Sequence, residues 1–234
     1  MESDQPVSVS VPRVTQAVIP VSGSDTPFPI RRIFCVGRNY AEHAIEMGHD
    51  PDREPPFFFT KPADAAVVAP VQLPYPGATS DLHHEIELVV ALGSGGADLS
   101  SDDALGHVFG YGVGLDMTRR DLQAQAKKMG RPWDMAKGFD QSAPMTPLRT
   151  AADVGHPSSG RISLTVNGEL RQEGDLSQQI WNVPDTIAYL STLVELRGGD
   201  LIMTGTPSGV AAVVAGDELV GDIQGIGTLT VSYR

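Results

Sequence analysis

Short apolar runs closed off by turn residues constrain this chain most. Arg32 to Val36, Phe57 to Thr60, Ala66 to Val68, His84 to Leu92, Val108 to Leu115, Ile162 to Val166, Leu201 to Thr204 and Thr228 to Ser232 are β-branched or aromatic stretches bounded by Gly, Pro or Asn, the pattern of strands. Val166-Asn167-Gly168-Glu169 carries the Asn-Gly signal of a tight hairpin. Helical periodicity is confined to three segments: Tyr40 to Met47, Thr118 to Met129 with Leu122 and Met129 on one side, and Val183 to Glu195 with Ile187, Leu190 and Val194 recurring. Pro184 opens the last of these and Gly198-Gly199 follows its end. Strands and helices do not alternate, so a doubly wound parallel sheet is disfavoured and an α+β fold, a mixed β-roll or β-sandwich with a few short helices, is expected. Residues 1 to 29 mix Val, Ser, Pro and Thr without helical periodicity and read as an extended N-terminal arm with little core of its own. The catalytic domain is expected over 30 to 234.

Charge and composition narrow the function. A net charge of -12 disfavours nucleic acid and anionic membranes, whose phosphates reward clustered Lys and Arg. The longest apolar stretches fall far short of the roughly 20 residues a membrane-spanning helix needs. Met1-Glu2-Ser3-Asp4 is acidic where a secretory signal is basic, so a cytoplasmic location is expected. The single cysteine, Cys35, lies in an apolar run and reads as a small buried side chain. An acidic chain that handles an anionic substrate needs a local cation, which favours a bound metal.

His83-His84-Glu85-Ile86-Glu87-Leu88 sets Glu85 and Glu87 two apart in a strand pattern, so both carboxylates share a face. By itself a Glu-x-Glu pair is more often an exposed strand face. The glycine-rich run Gly110-Tyr111-Gly112-Val113-Gly114-Leu115 ends in Asp116, and a third carboxylate can converge there. Three carboxylates without a soft ligand suit Mg²⁺ or Mn²⁺ better than Zn²⁺. Asp116 fits equally well as the N-cap of the following helix. His43 and Glu46, three apart in a helical pattern, could form a dyad in which the carboxylate orients the imidazole; the alternative is a solvated surface pair of little worth. His49, His83, His84, His107 and His156 are further candidates.

Taken together, Gly37-Arg38-Asn39-Tyr40 with His43 and Glu46, Phe59-Thr60-Lys61-Pro62, Glu85-Ile86-Glu87, Leu115-Asp116-Met117-Thr118-Arg119-Arg120-Asp121, Lys137-Gly138-Phe139-Asp140, Val166-Asn167-Gly168-Glu169 and Gly205-Thr206-Pro207-Ser208-Gly209-Val210 resemble the fumarylacetoacetate hydrolase family. The resemblance runs from about Ile30 to the C-terminus. Within the family, the stretches Met47 to Phe59 and Asp140 to Pro144 most resemble bacterial fumarylpyruvate hydrolases of gentisate catabolism. The resemblance implies that Glu85, Glu87 and Asp116 bind the metal, that His43 and Glu46 form a catalytic dyad on a mobile lid, and that Lys137, counted with the catalytic set, lines the pocket with Thr206. Arg38 and Lys61 match family positions and are taken as substrate-binding.

The implied reaction is hydrolysis of the carbon-carbon bond of a small acylpyruvate, fumarylpyruvate giving fumarate and pyruvate. The substrate's carboxylate and adjacent keto oxygen offer a chelating pair, and His43 would activate water against the distal carbonyl. Arg120, Gln123 and Arg131, on or just after the third-carboxylate helix, are candidates for the fumarate carboxylate; Arg131 serves equally as part of a solvated face. Thr206 and nearby amides could meet a developing oxyanion, unless Gly205-Thr206-Pro207 is a plain turn. Oxaloacetate decarboxylation, dienoate isomerisation, non-catalytic keto-acid binding and a purely structural role are the rivals. The resemblance also implies a homodimer.

Overall fold

The structure, a computed structural model, describes residues 11–40 and 55–234. Two sheets dominate these residues. In the larger, Phe57–Lys61, Arg32–Gly37, Asp200–Met203, Ile86–Leu92, Val108–Leu115, Ala143–Met145 and Ala66–Val68 lie side by side in that order, and Arg149–Thr150 pairs with Val108–Leu115 beyond them. Its pairs are mixed: Asp200–Met203 runs parallel to Arg32–Gly37 but antiparallel to Ile86–Leu92. The smaller sheet orders Glu169–Asp175, Arg161–Val166, Glu218–Ile223, Gly227–Tyr233 and Val71–Leu73. Mixed sheets and a few short helices make the expected α+β fold.

Alternation along the central strands builds two cores. Leu88, Val90 and Leu92, with Phe34, Val36, Ile202, Tyr111, Val113 and Leu115, pack against Ile162, Leu164, Leu219 and Val231 of the smaller sheet. The other face carries Val89, Ala91, Ile33, Cys35, Leu201, Met203 and Met145. All seven residues of Ile86–Leu92 are buried, as a strand covered on both sides requires. Each such Leu, Ile or Val contributes about 1.5–3 kcal/mol.

The second face is closed by residues expected in the extended arm. Val18–Val21 and Ser24–Pro29 form an antiparallel hairpin, and its Ile19, Val21 and Phe28 join that core. Residues 11–16 are exposed coil, while 18–29 pack on the larger sheet and build no separate core of their own. Pro20, Pro27 and Pro29 occupy a two-stranded sheet outside the larger one, where a missing N–H costs little.

Asn167 and Gly168 both take positive φ, 51° and 80°, as the primed hairpin turn between Arg161–Val166 and Glu169–Asp175 requires. The helix Val183–Leu193 is capped by the Asn182 side chain accepting from Asp185 N–H, and it buries Ile187 and Leu190. It ends short of the expected Glu195, leaving Val194 just past its end. The expected helix from Thr118 starts at Arg120, because Thr118–Arg119 pairs with Leu82–His83. Its inward residue is Gln123, while Met129 is 51% exposed. Leu122 and Met129 do share one side of the helix, as expected, but that side lines an open groove, while Arg120 and Gln123 line the cleft. The expected helix Tyr40 to Met47 lies, beyond Tyr40, outside the described residues. No helix among the described residues is long and apolar enough to cross a membrane.

Candidate active site

Strand register brings the three acids together. Ile86 pairs with Leu115 and Glu87 with Gly114, and one step outward Asp116 N–H donates to Glu85 C=O at 2.9 Å. Alternation then turns Glu85, Glu87 and Asp116 to one face, the face of Val89 and Met203. Their carboxylate oxygens lie within 4.8 Å of one another, and the residues are 6%, 2% and 0% exposed. Asp116 caps no helix, since the N-cap position of the next helix is Arg119. The strand proper starts at Ile86, two residues later than expected.

Three cations surround the acids. Lys137, at the end of the short helix Asp134–Lys137, donates to Glu85 Oε2 at 2.8 Å and Asp116 Oδ2 at 2.6 Å. Lys61 Nζ lies 2.8 Å from Asp116 Oδ1 but out of line for a hydrogen bond to it; it donates instead to the Met117 and Lys137 carbonyls. Arg120 reaches Glu85 Oε1 at 2.5 Å and Gln123 Oε1 at 2.6 Å. Burial, then Asp116 and then Glu85 push the Glu87 carboxyl well above the usual carboxylate range, against a hydrogen bond from Gly205 N–H at 2.8 Å. Burial pulls the Lys137 ammonium down, but Asp116 and Glu85 outweigh it and hold its pKa above that of an ordinary lysine. A cluster of buried hard oxygen donors with one carboxylate resisting ionisation fits a divalent cation, which would relieve that repulsion.

Above the acids opens a narrow cleft. Of the residues singled out from sequence, Arg38, Glu85, Glu87, Arg120, Gln123, Lys137 and Thr206 line it; Asp116 and Lys61 lie buried against the acids beneath. Arg131 does not line it, but turns to a neighbouring groove walled by Phe58, Pro132 and Trp133. His43 and Glu46, with His49, lie outside the described residues. The remaining histidines have local partners: His83 with Asp81, His84 with Gln172, His107 with Ser94 and His156 with Tyr111. Cys35 is fully buried.

Two functional elements escaped the sequence reading. Lys127 lines the cleft beside Trp133, its ammonium 5.1 Å from that ring's centroid. Gln172, fully buried, donates to Thr206 Oγ1 at 2.8 Å and to Pro207 C=O at 2.9 Å. Its own carbonyl meets the His84 ring Nδ1 at 2.8 Å and Ile86 N–H at 3.1 Å. Because Thr206 Oγ1 accepts from Gln172, its hydroxyl proton is left to point elsewhere, and Thr206 borders the cleft. Asn39 anchors the chain just before Thr206: it donates to Trp181 C=O and Thr204 C=O, both at 2.8 Å, and accepts from Trp181 N–H at 2.7 Å.

The chain is similar to known proteins over most of its length. Residues 32–232 match the family described as fumarylacetoacetate (FAA) hydrolase C-terminal. The crystal structure of fumarylpyruvate hydrolase from Pseudomonas aeruginosa, in complex with Mn²⁺ and pyruvate, superposes with a TM-score of 0.94 at 53% identity, covering 97% of this chain and 99% of that one. Fumarylpyruvate hydrolase of Ralstonia sp is 43% identical over 188 residues, 80% of this chain and 97% of that protein. The mitochondrial oxaloacetate tautomerase FAHD1 of Rattus norvegicus is also 43% identical, over 196 residues, 84% of this chain and 88% of that protein.

Proposed function

The chain belongs to the fumarylacetoacetate hydrolase family, and from that premise we propose that it hydrolyses an acylpyruvate, fumarylpyruvate to fumarate and pyruvate. The observation that carries the reading is the buried Glu85-Glu87-Asp116 triad flooring a cleft whose walls are cationic. Likeness to the fumarylpyruvate hydrolase of Pseudomonas aeruginosa over 97% of the chain supports the substrate.

In this reading Glu85, Glu87 and Asp116 hold one Mg²⁺ or Mn²⁺ ion. When bound, the cation supplies charge neutralisation for the pyruvyl carboxylate and keto oxygen, and for the negative charge that grows there as the bond breaks. Lys137 remains protonated between its two carboxylates and offers a donor to the same oxygens. Arg120 and Gln123, bonded to each other and tied to Glu85, fix the pyruvyl end of the substrate beside the acids instead of the fumarate carboxylate expected of them. Thr206 directs its hydroxyl proton at the substrate, and Arg38 lines the opposite wall while Lys61 secures Asp116. His43, backed by Glu46, takes a proton from water as its oxygen attacks the distal carbonyl carbon; the carbon-carbon bond breaks, fumarate leaves, and the proton ends on the methyl carbon of pyruvate.

Absorbance loss of fumarylpyruvate, with pyruvate and fumarate measured separately on chelator-stripped protein before and after Mg²⁺ or Mn²⁺, tests the proposal. Metal-restored, equimolar products are expected; no cleavage in either state overturns it. The likeness to an oxaloacetate tautomerase favours a second reading, keto–enol exchange of oxaloacetate on the same residues, which consumes no water and releases no pyruvate. A homodimer belongs to the same proposal, with light scattering as its test.

A further inference from the structure

Arg120, Gln123 and Lys127 stand at positions i, i+3 and i+7 of the helix Arg120–Met129 and all line the cleft, so one polar stripe runs along its wall. The first two are committed at the near end: Arg120 to Glu85, and Gln123 to Arg120. Lys127 differs. Among the described residues it has no carboxylate partner, and its ammonium is held by the face of Trp133 at 5.1 Å. Partial burial, then Arg120 and then Arg38 hold its pKa below that of an ordinary lysine, against the upward pull of Glu85, so Lys127 shares the cleft with two further cations, of which Arg120 is already paired with Glu85. Such a field is relieved by an anion entering between them.

The span also fits. Seven residues of helix rise about 10 Å, and a lysine side chain leans back toward the helix N-terminus, shortening that reach. Six carbon-carbon bonds separate the carboxyl carbons of a seven-carbon dioic acid, roughly 7 Å when extended. Resting on the acylpyruvate reading for the near end, we propose that Lys127 is the specificity residue of this site: it receives the far carboxylate of a dicarboxylic substrate and makes the cleft prefer such acids over monocarboxylic acylpyruvates. Arg131, on the neighbouring groove, is thereby relieved of that role.

The test uses full-length, Mn²⁺-loaded protein and two uncleavable probes of equal length, 2-oxoheptanedioate and 2-oxoheptanoate, titrated calorimetrically. The unaltered protein is expected to bind the diacid about ten- to a hundredfold more tightly, the size of one charge-assisted hydrogen bond. Lys127→Gln should erase the preference, and Lys127→Arg should restore most of it. Equal preference in the unaltered protein and Lys127→Gln overturns the proposal, as does no preference at all. Turnover separates it from the functional reading. In Lys127→Gln, kcat/KM for fumarylpyruvate should fall while that for acetylpyruvate changes less than about threefold. A diacid preference lost in Lys127→Gln by a protein that cleaves neither substrate sinks the hydrolase alone, and cleavage of both substrates with Lys127 silent sinks the specificity role alone.

Discussion

Loading the site with a divalent cation alone should be weak, and a keto-acid anion should strengthen it. The reason is the charge already present. Two of the three carboxylates, Glu85 and Asp116, meet three cations, Lys61, Lys137 and Arg120, at 2.5 to 2.8 Å, and Glu87 lies beside them, taking a hydrogen bond from Gly205 N–H. With all six ionised the cluster is neutral, and a divalent cation leaves it two charges in excess. An anionic ligand beside the cation returns it toward neutrality. Two unit charges about 4 Å apart interact by about 4 kcal/mol at an effective dielectric near 20; after desolvation and rearrangement, couplings between sites run about 1–3 kcal/mol. Pyruvate should therefore tighten Mn²⁺ about 5- to 150-fold, and by linkage Mn²⁺ should tighten pyruvate by the same factor. Calorimetric titration of Mn²⁺ into chelator-stripped protein, with and without saturating pyruvate, measures both. Lys137→Met removes one of the three cations, so Mn²⁺ alone should bind more tightly and the coupling should shrink. An Mn²⁺ affinity that pyruvate leaves unchanged or weakens refutes the charge argument.

Glu87→Ala should abolish metal binding and turnover together, whereas His43→Ala should keep the metal and lose turnover; a metal-free but fully active Glu87 variant would defeat the site assignment. Gln172→Ala strips partners from Thr206, Pro207, Ile86 and His84 and should cost about 2–4 kcal/mol of stability, read from denaturant midpoints. It should also lower kcat/KM about tenfold or more through the released Thr206 hydroxyl while leaving Mn²⁺ affinity intact; a parallel loss of metal would show a general collapse instead. Asn39→Ala removes the partner of Trp181 N–H and a donor to Thr204 C=O, while Trp181 C=O keeps the Thr186 hydroxyl, and a loss of about 2–3 kcal/mol is expected in thermal unfolding.

Period-two alternation made the acidic triad legible. Glu85 and Glu87 share a face whatever the sheet does, and Asp116 ends a strand whose glycines announce close approach. The Asn167-Gly168 turn was readable because a primed turn demands positive φ at both residues. What stayed hidden depends on distant pairing. Gln172 sits on an exposed-looking strand, Glu169–Asp175, whose burial pattern gives it alone an inward side chain, and its partners are 34 to 88 residues away. Lys127, an exposed side chain, looked like one more solvated lysine; only its place on the helix beside Arg120 and Gln123 sets it at the edge of the cleft. Leu122 and Met129 share a side that lines an open groove: an apolar stripe is a reliable guide to burial only where the helix borders a core.

The buried charges tax the fold, and its architecture explains how they are borne. Glu87 continues the row of Val89 and Ala91, so its carboxylate sits at the end of an apolar face where solvation is poor. A lone carboxylate there would protonate. On the same strand Ile86, Leu88 and Val90 hold the opposite face against the smaller sheet, which pins the strand irrespective of the acids. Gly114, directly opposite Glu87, has no side chain, and a Cβ there would lie 2.7 Å from Val89, so the two strands pack closely enough to leave the acids in mutual contact. The five-stranded sheet thus supplies the burial that keeps a self-repelling cluster assembled. The cations then make the cluster tolerable in the absence of metal, and the same cations leave an incoming anion, rather than the metal alone, to complete the charge balance.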